Sequence, residues 1–589
     1  MTPSTCSCPD CSSERTMSDN ATSESASEKP EVAVEPTAPV PETVTLSIDG
    51  IEVTVPKGTK VIEAAKQAGK VIPHFCYHPG LPVDGNCRMC IADVRTWNPR
   101  AEKHMPARRP AVTCWVDAED NMQVFTDTPE VLKSRATVME FLLLNHPVDC
   151  PICDKAGECM LQDYYMLHDR QRSEVRDEKV HKPRLVPFGD RILYNGERCI
   201  LCSRCTRFTE HVTGTHELGI VNRGDRAIVE VVEGGDFANA YTDNVADICP
   251  VGALTKTDFR FKKRVWFLKH TESVCGGCSR TCNTVVDHDR EEIIRIMPRE
   301  RPGVNDFWIC NEGRDLYKEL AATERPAAAS LAGKDQASAE DVIAWIGEGL
   351  AAHKKEGRER LAVIGSSWMS NEEAWLLGHL VGKGVKGQHL AVKTDRVDGY
   401  PADDVLHTDD HNPNRLGASA SGIAPGKKDG KDLAGILAAA QAGEIDTLIV
   451  WGPGLAHDWG GDDAVAEALA KVARVIQLTD AVDAVTPLAH AVIPLRNWAE
   501  RDGTWTNVDG FHSRFKKALR PPKGAWDGFE LLLAIADAGG LKSPAKNLRE
   551  ARKKLKQDPE LQAREFLDGR FEFPGNQTGF RHLGGVLET

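Results

Sequence analysis

The stretch RCILCSRCTRF (198–208) decides the fold of its region, because three cysteines follow one another with two residues between each pair. A fourth cysteine, Cys249, stands in ADICPVGALT (246–255) and precedes a proline. The pattern Cys-x2-Cys-x2-Cys with a remote Cys-Pro is that of bacterial 4Fe-4S ferredoxins, here with a longer gap before the last ligand. Three thiolates in so short a loop suit a cubane cluster better than the paired cysteines of a zinc knuckle. We call Cys199, Cys202, Cys205 and Cys249 the third set.

Similar patterns lie on both sides of this stretch. Between residues 76 and 310 there are fifteen cysteines, and with one histidine they divide into four sets of four. Thiolate sulfur completes the tetrahedral shell of iron, and two cysteines close in sequence reach neighbouring corners of one cluster. The first, second and fourth sets are Cys76-x10-Cys87-x2-Cys90-x23-Cys114, His146-x3-Cys150-x2-Cys153-x5-Cys159 and Cys275-x2-Cys278-x3-Cys282-x27-Cys310. Four one-electron centres in a row predict an electron-transfer protein.

Zinc is the alternative for each set. The first set has the order of a 2Fe-2S ferredoxin, although its gap of ten residues exceeds the four of the plant-type pattern. The second set, with one histidine and three cysteines, is also a structural zinc arrangement, so its own pattern leaves both metals open. The four sets together favour iron.

The composition excludes several classes of protein. A chain of 589 residues should form several domains, and a net charge of −14 with both signs mixed makes a nucleic-acid partner an unfavourable interpretation. No run of 18 or more uncharged apolar residues occurs, and no secretion signal is evident, so we expect a cytoplasmic protein with reduced thiols.

The N-terminal segment combines a tail with a predicted ferredoxin fold. Residues 1–42 are polar and rich in proline and predict a disordered tail, in which Cys6, Cys8 and Cys11 are either a metal group or, as we expect, incidental thiols. Alternating apolar residues on both sides of Asp49-Gly50 predict a β-hairpin, and a helix is predicted at 60–68. A hairpin, a helix and then a cysteine-bearing loop is the order of elements in a ferredoxin-like β-grasp.

Helical and α/β patterns follow. Residues 129–165 have a helical pattern, and ERPAAASLAG (324–333) is a predicted linker. Beyond it, short apolar strands alternate with helices, which predicts a doubly wound α/β layer. The predicted strands are LAVIGSS (361–367), TLIVWG (447–452) and RVIQLTD (474–480), and the predicted helices are 372–381 and 462–472. The GxGxxG match at 382–387 follows a helix and precedes a strand, the reverse of a nucleotide-binding motif, so it predicts a loop.

The stretch LLLNHPVDCPICDKAGECMLQDY (142–164), with the two stretches around the third set, closely resembles the large iron–sulfur (75-kDa-type, G-type) subunit of NADH-quinone oxidoreductase, respiratory complex I. The ten-residue gap of the first set also matches that family. The resemblance is strong over 44–325 and looser beyond. There AERDGTWTNVDGFHSRFKKALRPP (499–522) resembles the molybdopterin oxidoreductase fold, which in complex I has no pterin.

The resemblance implies four cofactors, which are one 2Fe-2S cluster on the first set and 4Fe-4S clusters on the second, third and fourth, the last off the main electron route. Iron would be bound by Cys76, Cys87, Cys90, Cys114, His146, Cys150, Cys153, Cys159, Cys199, Cys202, Cys205, Cys249, Cys275, Cys278, Cys282 and Cys310. No catalytic residue, molybdenum or pterin is expected. A catalytic molybdenum enzyme usually needs a cysteine ligand beyond the fourth set, and none occurs after Cys310.

The predicted fold is multidomain α+β and α/β, and its domains follow the ligand sets. They are a disordered tail (1–42), a 2Fe-2S ferredoxin-like β-grasp (43–128), a His/Cys3-ligated 4Fe-4S domain (129–167), a ferredoxin-like 4Fe-4S domain (168–265), a 4Fe-4S domain of the Mo/W-bis-MGD type (266–324) and a doubly wound molybdopterin-oxidoreductase-like domain without pterin (325–589).

The implied function is electron relay from a flavin- and NADH-binding partner subunit toward quinone, with other peripheral-arm subunits as further partners. Neither an NADH nor a quinone site is expected on this chain alone. The complex would hold it on the cytoplasmic side of the inner (plasma) membrane, with no membrane contact of its own. The alternatives are the iron–sulfur subunit of an NAD-linked hydrogenase or formate dehydrogenase complex, and a molybdopterin-dependent oxidoreductase.

Overall fold

A computed structural model describes residues 42–169, 176–334, 337–396 and 399–556. The predicted disordered tail, with Cys6, Cys8 and Cys11, lies outside these residues apart from Glu42 and stays a prediction. None of the helices in the described ranges combines the length and apolar character needed to span a membrane.

The first ordered part is a six-stranded sheet with one helix against it. Its elements are β1 (Thr43–Ile48), β2 (Ile51–Pro56), α1 (Val61–Gln67), β3 (Ile91–Asn98), β4 (Lys103–Pro106), β5 (Ala111–Val112) and β6 (Gln123–Phe125). The strand order is β2-β1-β6-β3-β4, with β5 paired to β3 and β1 parallel to β6. The predicted hairpin and helix are confirmed. Asp49 and Gly50 have φ of 48° and 83°, the left-handed values that a two-residue type I′ turn needs.

Two helices flank the loop of the second set. They are α2 (Pro129–Leu143), which Thr128 caps through a hydrogen bond from the N–H of Val131, and α3 (Met160–His168). The helical prediction for 129–165 is therefore wrong in its middle, where the chain leaves the helix between the two elements. Pro147 and Pro151 lie there, and proline cannot continue a helix.

The third and fourth sets lie among small sheets. The elements around the third set are β7 (Val186–Phe188), β8 (Ile192–Tyr194), α4 (Arg204–His211), β9 (Leu218–Val221), β10 (Ile228–Val231), α5 (Asn244–Ile248) and β11 (Leu254–Lys256). Those around the fourth are β12 (Lys269–Val274), β13 (Asn283–Asp289), β14 (Glu292–Pro298) and α6 (Asn311–Ala322). The sheets have the orders β11-β8-β7, β10-β9 and β12-β13-β14. We call residues 42–324 the ligand-bearing region.

The C-terminal region, residues 325–556, is built on a second six-stranded sheet. Its strands are β15 (Ser330–Leu331), β16 (Leu361–Gly365), β17 (His389–Val392), β18 (Thr447–Trp451), β19 (Arg474–Thr479) and β20 (Ala491–Pro494), followed by the hairpin β21 (Gly503–Thr506) and β22 (His512–Phe515). Its helices are α7 (Ala339–Lys355), α8 (Asn371–Gly378), α9 (Arg415–Ser421), α10 (Leu433–Gln441), α11 (Ala456–Trp459), α12 (Asp462–Leu469), α13 (Gly528–Ala538) and α14 (Leu548–Leu555).

The sheet order β15-β20-β19-β18-β16-β17, parallel from β20 to β17, confirms the predicted doubly wound layer. The three predicted strands are β16, β18 and β19, and helices α8 and α12 start within a residue of their predicted positions. Two expectations need correction. The predicted linker contributes the edge strand β15, and the GxGxxG stretch is not simply a loop, because α8 continues as a π-helix over His379–Val385 before β17.

Candidate iron–sulfur sites

The first set gathers beside β3 and β5. Cys90 directly precedes β3, Cys114 follows β5, and Cys76 and Cys87 come from the loop after α1. Thr113 fixes two of these ligands, because its N–H (3.0 Å) and its hydroxyl (2.6 Å) both donate to the carbonyl of Cys90. Hydrogen bonds from the thiols of Cys114 and Cys87 lower the pKa of Cys76. A hydrogen bond with Cys114 also lowers the pKa of Cys90, so all four thiols interact in one place.

The second set lies in the loop between α2 and α3, where Cys153 and Cys159 are buried and Cys150 is exposed. Burial, helped by the charge of Arg198, lowers the pKa of His146 to about 4, so its imidazole is neutral at pH 7. Its Nδ1 atom is buried and has no hydrogen-bond partner among the described residues. A neutral imidazole with a nitrogen to spare is suited to bind a metal.

The second and third sets are in direct contact. A Cβ atom on Gly252 would lie 2.1 Å from Sγ of Cys153, so only glycine fits at this position beside the sulfur. The N–H of Met160 donates to the carbonyl of Pro250 at 3.0 Å. The segment that contains Cys249 of the third set therefore also packs against the second set.

The third set lines a small cavity between α4, α5 and β11. All four cysteines face it, with Tyr194, Val229, Val251 and Leu254 among the other lining residues. Leu201 and Ser203 have φ of 53° and 59°, and such left-handed backbone costs a residue with a Cβ about 1–2 kcal/mol. The turn that results lets the N–H of Leu201 donate to Sγ of Cys199 at 3.4 Å. The strained turn therefore places the N–H of Leu201 against the sulfur of Cys199.

The fourth set joins β12, β13 and α6. The N–H of Cys275 donates to the carbonyl of Cys282 at 2.8 Å, and the sulfurs of Cys275 and Cys310 accept from the N–H groups of Gly277 and Gly313, both at 3.3 Å. A Cβ on Gly313 would lie 2.8 Å from one of these sulfurs and 3.3 Å from the other. Burial raises the pKa of Cys275 to about 12, so its free thiolate would be unfavourable without a bound cation.

The residues of the sets fit iron–sulfur clusters in two respects, the first of which applies to three sets. Backbone N–H groups point at ligand sulfurs in the first, third and fourth sets, as they do at cluster thiolates. Zinc bonds of about 2.3 Å would bring four tetrahedral sulfurs within roughly 3.8 Å of one another. Within the described ranges, three potential ligand atoms approach within 4.8 Å only at Cys310, Glu312 and His407, so the sulfurs of each set are spread more widely than zinc requires.

Sequence reasoning grouped the predicted ligands into four sets but missed the residues that surround them. Gly252 and Gly313 make room for sulfur atoms, and each has a cysteine three residues before it, the only local signal of this role. Arg204 and Arg207 stand between the first and third sets, with donors to the carbonyls of Tyr77 and Cys76. No local pattern predicts these contacts, because they join residues more than 120 positions apart.

Three domain families match this chain. They are the 2Fe-2S iron-sulfur cluster binding domain (41–129), the NADH-ubiquinone oxidoreductase-G iron-sulfur binding region (135–174) and the ferredoxin-like domain of NADH-quinone oxidoreductase subunit 3 (189–255). The chain therefore contains 2Fe-2S and 4Fe-4S binding domains in a mixed α and β architecture.

Curated relatives that are named as the G subunit of NADH-quinone oxidoreductase are similar to the same part of the chain. The protein of Streptomyces coelicolor is 38% identical over 343 residues, which is 57% of this chain and 39% of the relative. That of Rickettsia felis is 35% identical over 58% of this chain and 49% of its own length, and that of Mycobacterium tuberculosis is 41% identical over 46% and 33%. These matches confirm the predicted resemblance, and they span half or less of each relative's length.

A solved chain of an NAD+-reducing [NiFe]-hydrogenase in the H2-reduced state also matches. It is 30% identical, the match covers 38% of this chain and 91% of that chain, and the TM-score is 0.33. A superposition at that level does not decide between functions.

Proposed function

We propose that this chain is the large iron–sulfur subunit of an NADH-quinone oxidoreductase, and that it relays electrons from a flavin-bearing partner toward quinone. The observation that supports this most is that the four cysteines of the third set line one cavity, in a chain whose curated relatives are named as the G subunit of that enzyme. NADH and quinone would be bound by partner subunits, which would also hold the chain at the cytoplasmic side of the membrane.

The proposed cofactors are one 2Fe-2S cluster on the first set and 4Fe-4S clusters on the other three. Iron bound there would supply one-electron chemistry. The chain's residues would hold the clusters apart, exclude water and donate hydrogen bonds to the thiolates. His146 would bring a neutral nitrogen where the other sets bring a fourth thiolate. No residue is proposed to transfer a proton.

The C-terminal region is proposed to be a molybdopterin-oxidoreductase-like domain without pterin. Its doubly wound sheet supports the fold, and the chain has no cysteine after Cys310 that could bind molybdenum. The domain boundaries proposed are those predicted from the ligand sets, because each described group of small sheets and helices surrounds one set.

Metal analysis of anaerobically purified full-length protein tests this proposal. We expect about 14 iron atoms per chain and no stoichiometric zinc or molybdenum, with EPR signals of one 2Fe-2S and three 4Fe-4S clusters after reduction. Stoichiometric zinc with little iron would contradict the proposal, and a fluorescent pterin product after oxidative denaturation would place the chain among molybdoenzymes.

The role of His146 has its own test. His146→Cys replaces a neutral ligand by a thiolate, and added negative charge favours the oxidised cluster, in line with the higher potentials of histidine-ligated Rieske centres. We expect the second cluster to assemble with a lower reduction potential. An unchanged potential in a redox titration would show that His146 is not a ligand.

A further inference from the structure

Arg204 occupies an unusual place among the ligand sets. It is the first residue of α4, next to Cys205, and only 2% of its surface is exposed. Its guanidinium donates to the carbonyl of Ile248 at 3.0 Å and to the carbonyl of Tyr77, and it lies 3.8 Å from Sδ of Met160. Each of these three residues is the direct neighbour of a predicted ligand, in the third, first and second sets respectively.

The charge of Arg204 has no carboxylate partner among the residues that the structure describes. Two other large buried cations differ, because Arg295 is paired with Glu158 at 2.7 Å and Arg314 with Asp247 at 2.5 Å, whereas Arg135 likewise donates to a carbonyl, that of Ile91. The contacts of Arg204 are neutral carbonyls and a thioether, and its Nε atom is buried with no described partner. A buried charge without a counter-charge is strongly unfavourable.

Arg207, one turn along the same helix, is less isolated. Its Nε donates to the hydroxyl of Ser203 at 3.0 Å, and that hydroxyl donates to the carboxylate of Asp84. Arg207 thus reaches a carboxylate through one side chain, whereas Arg204 does not.

The ligands of the first and third sets can supply a counter-charge, because the guanidinium of Arg204 donates to the carbonyls of Tyr77 and Ile248, the neighbours of Cys76 and Cys249. Burial lowers the pKa of Arg204, and the negative charge of nearby groups, Cys202, Cys87 and Cys76 among them, opposes this shift. A cluster with four thiolate ligands is an anion, and each reduction adds one negative charge to it. The second set has a neutral histidine in place of one thiolate, so its negative charge is smaller and a nearby cation would stabilise it less.

We propose that Arg204 is the shared counter-cation of the first and third clusters and that it raises the reduction potential of both. This rests on the proposed function, since it requires iron at both sets. Arg204 touches no reacting atom and is a positioning residue, which acts through its charge on two centres at once. The added negative charge of either reduced cluster would be stabilised by the same guanidinium.

The competing explanation is that Arg204 only ties three loops together through its hydrogen bonds. The two roles differ in what a change of charge does. If Arg204 acts only as a cross-link, its effect depends on the shape of the guanidinium group. Removing its charge then leaves the reduction potentials of assembled clusters unchanged. A counter-cation depends on the charge and shifts both potentials in the same direction.

The test is an EPR-monitored redox titration of full-length protein, purified anaerobically, with iron analysis of each preparation. Arg204→Gln removes the charge, Arg204→Lys keeps it with fewer donors, and Arg223→Gln removes a charge from an exposed position of the same region. At an effective dielectric constant of about 20, one charge about 10 Å away changes an equilibrium constant by roughly tenfold. For a one-electron couple that is about 59 mV.

We expect Arg204→Gln to lower the potentials of the first and third clusters by about that amount and to leave the fourth cluster unchanged as an internal reference. Arg204→Lys should stay near the wild type, and Arg223→Gln should have no effect, because water screens its charge. Full iron content with unchanged potentials in Arg204→Gln would overturn the inference, as would an equal shift in Arg223→Gln.

Iron content separates the remaining outcomes. If Arg204→Gln loses iron while Arg204→Lys keeps it, the charge is needed for assembly, which supports the counter-cation. If both variants lose iron, the shape of the guanidinium matters rather than its charge, and the inference is wrong. A wild-type protein without iron would instead contradict the proposed function.

Discussion

The ligand-bearing region and the C-terminal region reach a stable fold in different ways. In the C-terminal region the central strands β16 and β18 are buried along their whole length, in a six-stranded sheet covered by helices. Between residues 186 and 298 the sheets have only two or three strands, and each is packed around a ligand set. Small sheets bury little apolar surface by themselves, and here they share an apolar core that also contains cysteines of the ligand sets.

Buried ion pairs connect the loops of the ligand-bearing region. Asp243 is fully buried and paired with Lys256 at 2.9 Å and Arg191 at 2.7 Å, and these cations lower the pKa of its carboxyl. Arg295 joins Glu158, beside the second set, to Asp287 on β13. Such networks are costly to desolvate and fix geometry more than they add stability. The ligand-bearing region therefore uses buried charge to hold its ligand loops in position, and the C-terminal region also has buried pairs, such as that of Arg501 with Glu373 at 2.7 Å.

Removal of iron should separate the two regions most strongly. In a chain produced without iron, we expect the ligand loops to lose their structure while the sheet around β18 remains, because only the ligand loops depend on metal binding. Hydrogen exchange measured by mass spectrometry checks this, with peptides from 146–159 and 199–205 compared with peptides from 447–451. Full protection of the ligand loops in the iron-free chain would show that the two regions do not differ in this way.

Breaking the buried network should be the next largest effect. Arg295→Met leaves Glu158 and Asp287 buried without a cation, which should destabilise the ligand-bearing region by about 3–5 kcal/mol. The measurement is denaturant unfolding followed through cluster absorbance. Arg290→Met, at an exposed position of the same hairpin, is the control and should have little effect. Equal behaviour of the two variants would contradict the role given to the network.

The sequence predicts the two regions unequally well. Local alternation around Asp49-Gly50 and the apolar runs of β16, β18 and β19 are sufficient to place those strands, because each pattern reports burial of the segment that contains it. The break between α2 and α3 could not be placed in the same way, since the apolar spacing continues on both sides while the loop serves the second set.

Within the sites, spacing predicts the ligands and none of the residues around them. The cysteines are recognisable because a cluster needs several thiolates from one short loop. Gly252 against Cys153, and Arg204 between two sets, depend on residues about 100 or more positions apart that meet only in the folded chain. Contacts made by residues outside the ligand sets could therefore be found only in the structure.

A cavity in the C-terminal core should affect that region alone. Leu531 on α13 is fully buried and packs within the core of the second sheet, so Leu531→Ala should cost about 2–5 kcal/mol. Leu533→Ala, on the same helix but partly exposed, is the control and should cost less. We expect the iron content of both variants to equal that of the wild type. Loss of iron in Leu531→Ala would show that the two regions fold as one unit.

The smallest effect should come from a surface ion pair of the C-terminal region. Arg360 and Asp446 form a two-point pair that is about four-tenths exposed on each side, and Arg360 lowers the pKa of Asp446. A carboxyl with a lowered folded pKa adds stability above its ordinary pKa of about 3.9 and loses it as the pH falls through the folded value. Asp446→Asn should therefore lower the unfolding midpoint of the iron-free chain at pH 7 by less than about 2 °C, because water screens exposed pairs. The difference should vanish below the folded pKa of Asp446, where wild type and variant are both neutral at this position. A large difference that persists in acid would mean that Asp446 acts through packing rather than through its charge.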